Sequence, residues 1–162
     1  MSIEKVRAAF RPLGIEHRIL EFPVSSATVE LAAEAAHVIP ARIAKTLSFR
    51  DAEGEGCMLI VTAGDAKIDN RKFKDRFHFK ARFLTPEGAK QLTGHAVGGV
   101  CPFALPEGVP VYLDISLRRF ETVFPAAGSS NSAVELTCKE LERYAAAADW
   151  VDVCKDWETE GN

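Results

Sequence analysis

Apolar residues recur along the chain in two rhythms, one of three to four residues and one of two, and the switches between them divide it into elements. Ile3, Val6, Phe10 and Leu13 fall on one helical face, with Ser2 as a possible N-cap and Gly14 placed to end the helix. "IEHRILEF" then alternates into a short strand closed by Pro23, and Ser25 or Ser26 is positioned to cap a helix over "ATVELAAEAAHV" that Pro40 ends or redirects. "KTLSF" and "CMLIVTA" predict strands joined by the glycine-rich turn "DAEGEG". A basic helix over roughly Asn70 to Phe77 precedes a strand-like "KARFL". Thr85-Pro86-Glu87 has the makings of a helix start, with Gly94 as its stop. "VPVYLDI", "RFETVFP" and "SAVEL" predict further strands, Thr137 and Glu140 form a capping box for "CKELERYAAAA", and "DWVDV" is a candidate last strand. The order predicts one α+β domain over residues 1–162, a mixed sheet covered by helices, without repeats, linkers or low-complexity tracts.

Composition narrows the class. With 162 residues and 47% hydrophobic content the chain can bury a core. No apolar run approaches the ~20 residues that span a bilayer, so no membrane association is expected. The N-terminal stretch is charged and amphipathic, unlike a secretory signal. Cysteines at 57, 101, 138 and 154 form neither a CxxC pair nor a metal-ligand spacing, so free thiols in a reducing cytoplasm, and no metal, are expected. A net charge of −3 argues against wholesale coating of nucleic acid but leaves room for a local basic patch.

Two features stand out as candidate chemistry. Strand alternation puts Lys45 on the same face as Leu47 and Phe49, with Thr46, Ser48 and Arg50 opposite. A lysine on an apolar face either snorkels out at the strand end or lines a partly buried pocket, and pattern leaves both open. The second feature is "LTGHAVGGVCPFALP", uncharged, with three glycines and two prolines. Within it Gly98-Gly99-Val100-Cys101-Pro102 reads G-x-x-x-P. Glycine permits tight turns and close approach, proline stiffens, and the loop either simply turns the chain or presents backbone N–H groups to a carbonyl or phosphate oxygen.

Taken in order, "IPARIAKTLSFRD", "VTAGDAKID", "TGHAVGGVCPFALP" and "GSSNSAVELTCKEL" resemble the YbaK/EbsC family of aminoacyl-tRNA editing domains, which includes the insertion domain of bacterial prolyl-tRNA synthetases. The resemblance runs from about the second helix to "KEL". It implies a trans-editing deacylase that hydrolyses the ester between a wrong, small amino acid and the 3′ adenosine of tRNA-Pro or a related tRNA, with no cofactor or metal. It also implies the tRNA acceptor end, and possibly a cognate synthetase, as partners. The family's lysine falls on Lys45 and its GxxxP loop on Gly98 through Pro102, so the loop's backbone amides would stabilise the ester's oxyanion while Lys45 positions the 3′ end. Ser129 and Asn131 match a polar segment bordering the family's pocket, with an ordinary turn as the competing reading. Ser25, Ser26, Thr28 and Thr46 are the expected substrate-binding walls.

Other readings stay open at this point. Cys101 with His95 would make a cysteine hydrolase if the two side chains met. His17, His37 and His78 sit in strand or helix patterns and read as surface or core residues. "DNRKFKDRFHFKARF" holds six cations (71, 72, 74, 76, 80 and 82) interleaved with Phe73, Phe77, Phe79 and Phe83, either an ordinary solvated face or a phosphate-contacting one. A non-catalytic tRNA- or synthetase-binding module of the same fold would share all of these features.

Overall fold

The computed structural model describes residues 2–157, so the first residue and the last five of the expected domain lie outside the described residues. Helix α1 (Ser2–Phe10) leads through 3-10 turns into β1 (Ile19–Glu21), then α2 (Val29–Ala36), β2 (Ile43–Arg50), β3 (Cys57–Ala63) and β4 (Lys67–Ile68). Helices α3 (Asn70–Phe77) and α4 (Pro86–Thr93) follow. After them come β5 (Val111–Asp114), β6 (Thr122–Pro125), β7 (Ser132–Val134), β8 (Leu136–Thr137), α5 (Cys138–Tyr144), β9 (Asp149–Val151) and β10 (Cys154–Lys155). The main sheet has six strands in the order β8-β6-β2-β3-β5-β9 and is mixed: β2–β3 and β6–β8 run antiparallel, the other three pairs parallel. The expected α+β architecture with a mixed, helix-covered sheet is what forms.

Strand β3 lies at the sheet's centre with all seven residues buried, which is why "CMLIVTA" is apolar without alternation. Helix α3 is pinned by Phe73, whose ring stands 5.1 Å from Phe49 and 5.6 Å from Phe79, so its cations face outward. A smaller cluster of Ala32, Ala33, Ile43 and Phe124 seats α2 on β2 and β6.

Several boundaries differ from the sequence reading. Ser2 lies within α1, and its hydroxyl, instead of capping, reaches His95 and the Gly128 carbonyl. Leu13 follows the helix in a 3-10 turn and is exposed. The first half of "IEHRILEF" is a 3-10 turn, leaving a three-residue strand. Thr28, not Ser25 or Ser26, caps α2, and His37 in the left-handed conformation ends it before Pro40 is reached. Ser26 is occupied elsewhere, its amide donating to the Ser130 carbonyl at 2.7 Å. "KARFL" makes only an isolated bridge, Phe49 to Phe83, because Thr85 opens α4 two residues later and no length is left for a ladder.

Candidate functional site

The sheet has a notch. Strand β6 pairs with β2 only at Ile43–Phe124 and Ala44–Pro125. Further along β2, the same edge is taken up by the 82–84 segment, through Leu84 N–H to the Ser48 carbonyl (3.1 Å) and Arg50 N–H to the Arg82 carbonyl (2.8 Å). Between them Lys45, Thr46 and Leu47, paired with β3 on their other side, have no strand on this edge among the described residues. A cavity of about 280 Å³ occupies this gap.

Its lining comes from both faces of β2, as expected at a strand edge. The N-terminal end of α2 contributes Ser26, Ala27, Thr28 and Val29, and the start of α4 contributes Leu84 and Pro86. The GxxxP loop supplies Gly98 and Val100, with Val97 just before it. Ala32, Ile43, Ala44, Phe124, Ala126 and Ala133 make small apolar walls. Lys45 is the one charged residue among the described lining residues, and no Asp, Glu or His joins it there. Two helix N-termini bring their partial positive charge to the same space.

Lys45 is half-buried, and desolvation, only partly offset by Cys154 and Asp65, holds its ammonium below the ordinary lysine range. Its one hydrogen bond, to the Gly64 carbonyl, is long at 3.4 Å, and it forms no ion pair among the described residues. Asp65 is instead held by Arg119 through two hydrogen bonds, 2.9 and 2.5 Å. Next to Lys45 in the chain, the hydroxyl of Thr46 is buried with no hydrogen-bond partner among the described residues. A buried orphan hydroxyl costs about 1–3 kcal/mol, so a ligand or water that satisfied it would gain that back. The cavity is therefore lined by a desolvated cation and, on the next residue, by a threonine whose buried hydroxyl has no partner among the described residues.

The five GxxxP positions divide. Gly98 and Val100 line the cavity, and among the described residues their amides have no acceptor in the protein. Gly98 has φ +92°, a conformation glycine takes without strain. Gly99 lies behind the lining and donates its N–H to the Ala96 carbonyl at 2.9 Å, so that amide is spent on the turn. A Cβ at Gly99 would stand 2.8 Å from the Ser129 amide nitrogen and 2.9 Å from the Gly128 carbonyl group, so two loop backbones meet there. Cys101 and Pro102 are buried and do not line the cavity.

Cys101 and His95 do meet, with Sγ 3.5 Å from Nε2, yet the pair is not set up as nucleophile and base. His95 is fully buried, and its Nε2 lies 2.7 Å from the Phe103 carbonyl, a contact that requires this nitrogen to donate. Its Nδ1 lies 2.5 Å from the Ser2 hydroxyl, so both ring nitrogens are engaged and no free base faces the thiol. Burial pushes the Cys101 thiol up to about 12. The pair ties the loop to α1.

Of the expected walls, Ser26, Thr28 and Thr46 line the cavity; Ser25 is exposed outside it. Ser129 and Asn131 are likewise not in the lining. They stitch the 128–132 turn together and to the chain before α2, through Ser129 Oγ to Asn131 Oδ1 (3.0 Å) and Asn131 Nδ2 to the Phe22 carbonyl (3.0 Å). Ser132, Phe124, Ala126, Ala133 and Leu84 were not singled out by the sequence reading. Their membership follows from where β6 leaves β2, which no local pattern announces.

This fold belongs to a known class. Residues 24–144 match the aminoacyl-tRNA editing domain family, and the chain belongs to it. It is 56% identical over 158 residues to the uncharacterized protein YwhH of Bacillus subtilis (strain 168), covering 98% of this chain and all of that one. It is 29% identical over 127 residues to the proline–tRNA ligase of Lysinibacillus sphaericus (strain C3-41), covering 78% of this chain but 22% of the ligase. A crystal structure of a proposed trans-editing enzyme for prolyl-tRNA synthetase superposes with a TM-score of 0.84 at 30% identity, over 95% of this chain and 97% of that one.

Proposed function

We propose that the chain is a trans-acting deacylase that hydrolyses the ester of a mischarged tRNA, tRNA-Pro or a related one, bearing a small amino acid. The observation that carries this reading is the notch beside Lys45: a cavity of about 280 Å³ with small apolar walls and one cation. That volume is at or below the low end of ordinary ligand pockets and suits a small acyl group. In the reaction, water adds to the ester carbonyl, the acyl C–O bond breaks, and the ribose oxygen leaves with a proton. Negative charge gathers on the carbonyl oxygen in the transition state. On this reading the amides of Gly98 and Val100, without an acceptor among the described residues, and the two helix N-termini stabilise it, and fixed donors act without reorganisation. Lys45, in no ion pair among the described residues, holds the 3′ end in place. Thr46 offers its orphan hydroxyl to the bound ester. With no Asp, Glu or His in the described lining, water activation falls to the substrate's own groups.

The buried Cys101 takes no part, which separates this reading from a cysteine hydrolase. The test is a deacylation screen with purified protein against tRNAs charged with alanine, serine, threonine and other small amino acids. Turnover of at least one, lost in Lys45→Ala, is the expected result. Binding of these tRNAs without turnover would make the chain a non-catalytic module and overturn the proposal.

A further inference from the structure

Phenylalanine is the most buried aromatic of this chain, with one exception. Of its ten phenylalanines, Phe83 alone is exposed, at 59%, and it lines the mouth of the notch. It is not a loose loop residue. Hydrogen bonds from the backbone on either side tie it to β2, and one side of its ring packs on the buried Phe49, centroids 4.6 Å apart and planes 30° from parallel. Phe49 is in turn wedged against Phe73 at 5.1 Å. The ring is thus held rigidly from behind and left in water in front. Val97, just before the GxxxP loop and 63% exposed, borders the same mouth. Lys80 and Arg82, both exposed, shortly precede Phe83 in sequence, and among the described residues neither is in an ion pair.

We propose that Phe83 is a stacking platform for the unpaired terminal nucleobase of the RNA whose ester enters the notch. The proposal rests on the deacylase reading for the identity of the RNA, but not for the stacking itself. An aminoacyl ester sits on the ribose of the last nucleotide, so when the acyl group is inside, that nucleotide's base lies at the mouth. A base presents a flat π-face, and a rigid, solvent-facing aromatic ring is the surface that such a face stacks on. Lys80 and Arg82, in no ion pair among the described residues, supply the attraction for the adjoining phosphates. Stacking on a ring is tolerant of base identity, so Phe83 contributes affinity and orientation and leaves the choice of tRNA to other contacts.

The experiment uses an uncharged RNA minihelix ending in an unpaired tail whose last base is 2-aminopurine, whose fluorescence is quenched on stacking. With the wild-type protein the signal should fall on binding. Phe83→Ala should abolish the quench and weaken binding about tenfold to a hundredfold, Phe83→Trp should preserve both, and Phe83→Leu, apolar but not aromatic, should behave as Phe83→Ala. The leucine variant keeps the test valid if the alanine variant fails to fold. Undiminished quenching in Phe83→Leu, or wild-type protein that deacylates a mischarged tRNA but never quenches the probe, would overturn the proposal. Quenching by a wild-type protein that deacylates nothing would sink the hydrolase reading alone and leave the platform standing.

Discussion

Replacing Lys45 separates a residue kept for the fold from one kept for a ligand. Its ammonium is half-buried, pairs with no carboxylate among the described residues and makes one long hydrogen bond, so the folded state holds a poorly compensated charge. Lys45→Met keeps the stem's volume and removes that charge, a swap expected to be neutral or to stabilise by roughly 1 kcal/mol. Lys45→Ala also loses packing of about three half-buried methylenes, roughly 1 kcal/mol at ~0.8 kcal/mol per fully buried CH₂, so its net stability change is near zero. The pH dependence carries the same signature. Because desolvation places the folded-state pKa below the unfolded value, the unfolded chain binds more protons between the two, and stability contributed by this site rises as pH climbs through that window. The cost is fully present below the folded pKa and gone above the ordinary lysine value; Lys45→Met should flatten that rise. Activity should move the other way, falling about 10²–10³-fold in single-turnover deacylation, as for loss of one well-placed electrostatic group. Urea denaturation across pH and a rapid-quench deacylation assay on the same preparations give both numbers. A methionine variant destabilised by more than about 1 kcal/mol, or one with wild-type turnover, refutes the assignment of Lys45 to a ligand.

Thr46→Val removes a buried hydroxyl that has no partner among the described residues, so its urea midpoint should hold or rise, while deacylation drops about tenfold; an unchanged rate would take Thr46 out of the site. Gly98→Ala and Gly99→Ala should part company. At Gly98 (φ +92°) the cost is backbone strain next to the free amides, so the bound-state rate should fall by ~10²-fold with the dissociation constant for uncharged tRNA within about twofold. At Gly99 the added methyl meets the Gly128–Ser129 backbone at 2.8–2.9 Å, so a loss of ~1–3 kcal/mol of stability should accompany any loss of rate. Collapse of tRNA affinity in Gly98→Ala with its bound-state rate intact would make the loop an RNA-docking element. Cys101, with its thiol pushed up to about 12, should resist iodoacetamide at pH 8 in the native state, and Cys101→Ser should keep most activity. Complete inactivation of a folded Cys101→Ser would restore the thiol to the chemistry.

What was legible in the sequence was what is decided locally. The basic helix over Asn70–Phe77, the Thr85 cap and Pro86 start of α4, and the Thr137–Glu140 capping box form as their side chains dictate. So does the alternation that separates Lys45 from Thr46. The two-residue strands β4 and β10 were invisible, because they exist only through pairing between residues 67–68 and 154–155. The contact of His95 with Cys101 and the diversion of Ser129 and Asn131 into turn-stitching are equally non-local. Alternation could place Lys45 on a face shared with Leu47 and Phe49, but it could not say that the strand edge beside it is empty. That last fact decides between a snorkelling lysine and a pocket lysine.

The emptiness has a cause in one residue. A parallel ladder continues only while each strand can donate, and β6 ends on Pro125, which has no N–H. From there the chain turns through Ala126 and Ala127 to Gly128, next to the α1 N-terminus, and leaves β2 uncovered from Lys45 onward. The edge is closed again only at Ser48, where the 82–84 segment arrives with its own Pro86 and Thr85 already committed to starting α4. Three uncovered residues at ~3.3 Å each leave an opening roughly 10 Å long. On the proposed reading, that opening takes the single unpaired end of the strand and leaves the body of the helix outside. Phe83 stands on the segment that closes the gap and Lys45 at the end where β6 departs. A substrate lying along the uncovered edge therefore meets the cation and the aromatic ring in an order set by the ladder.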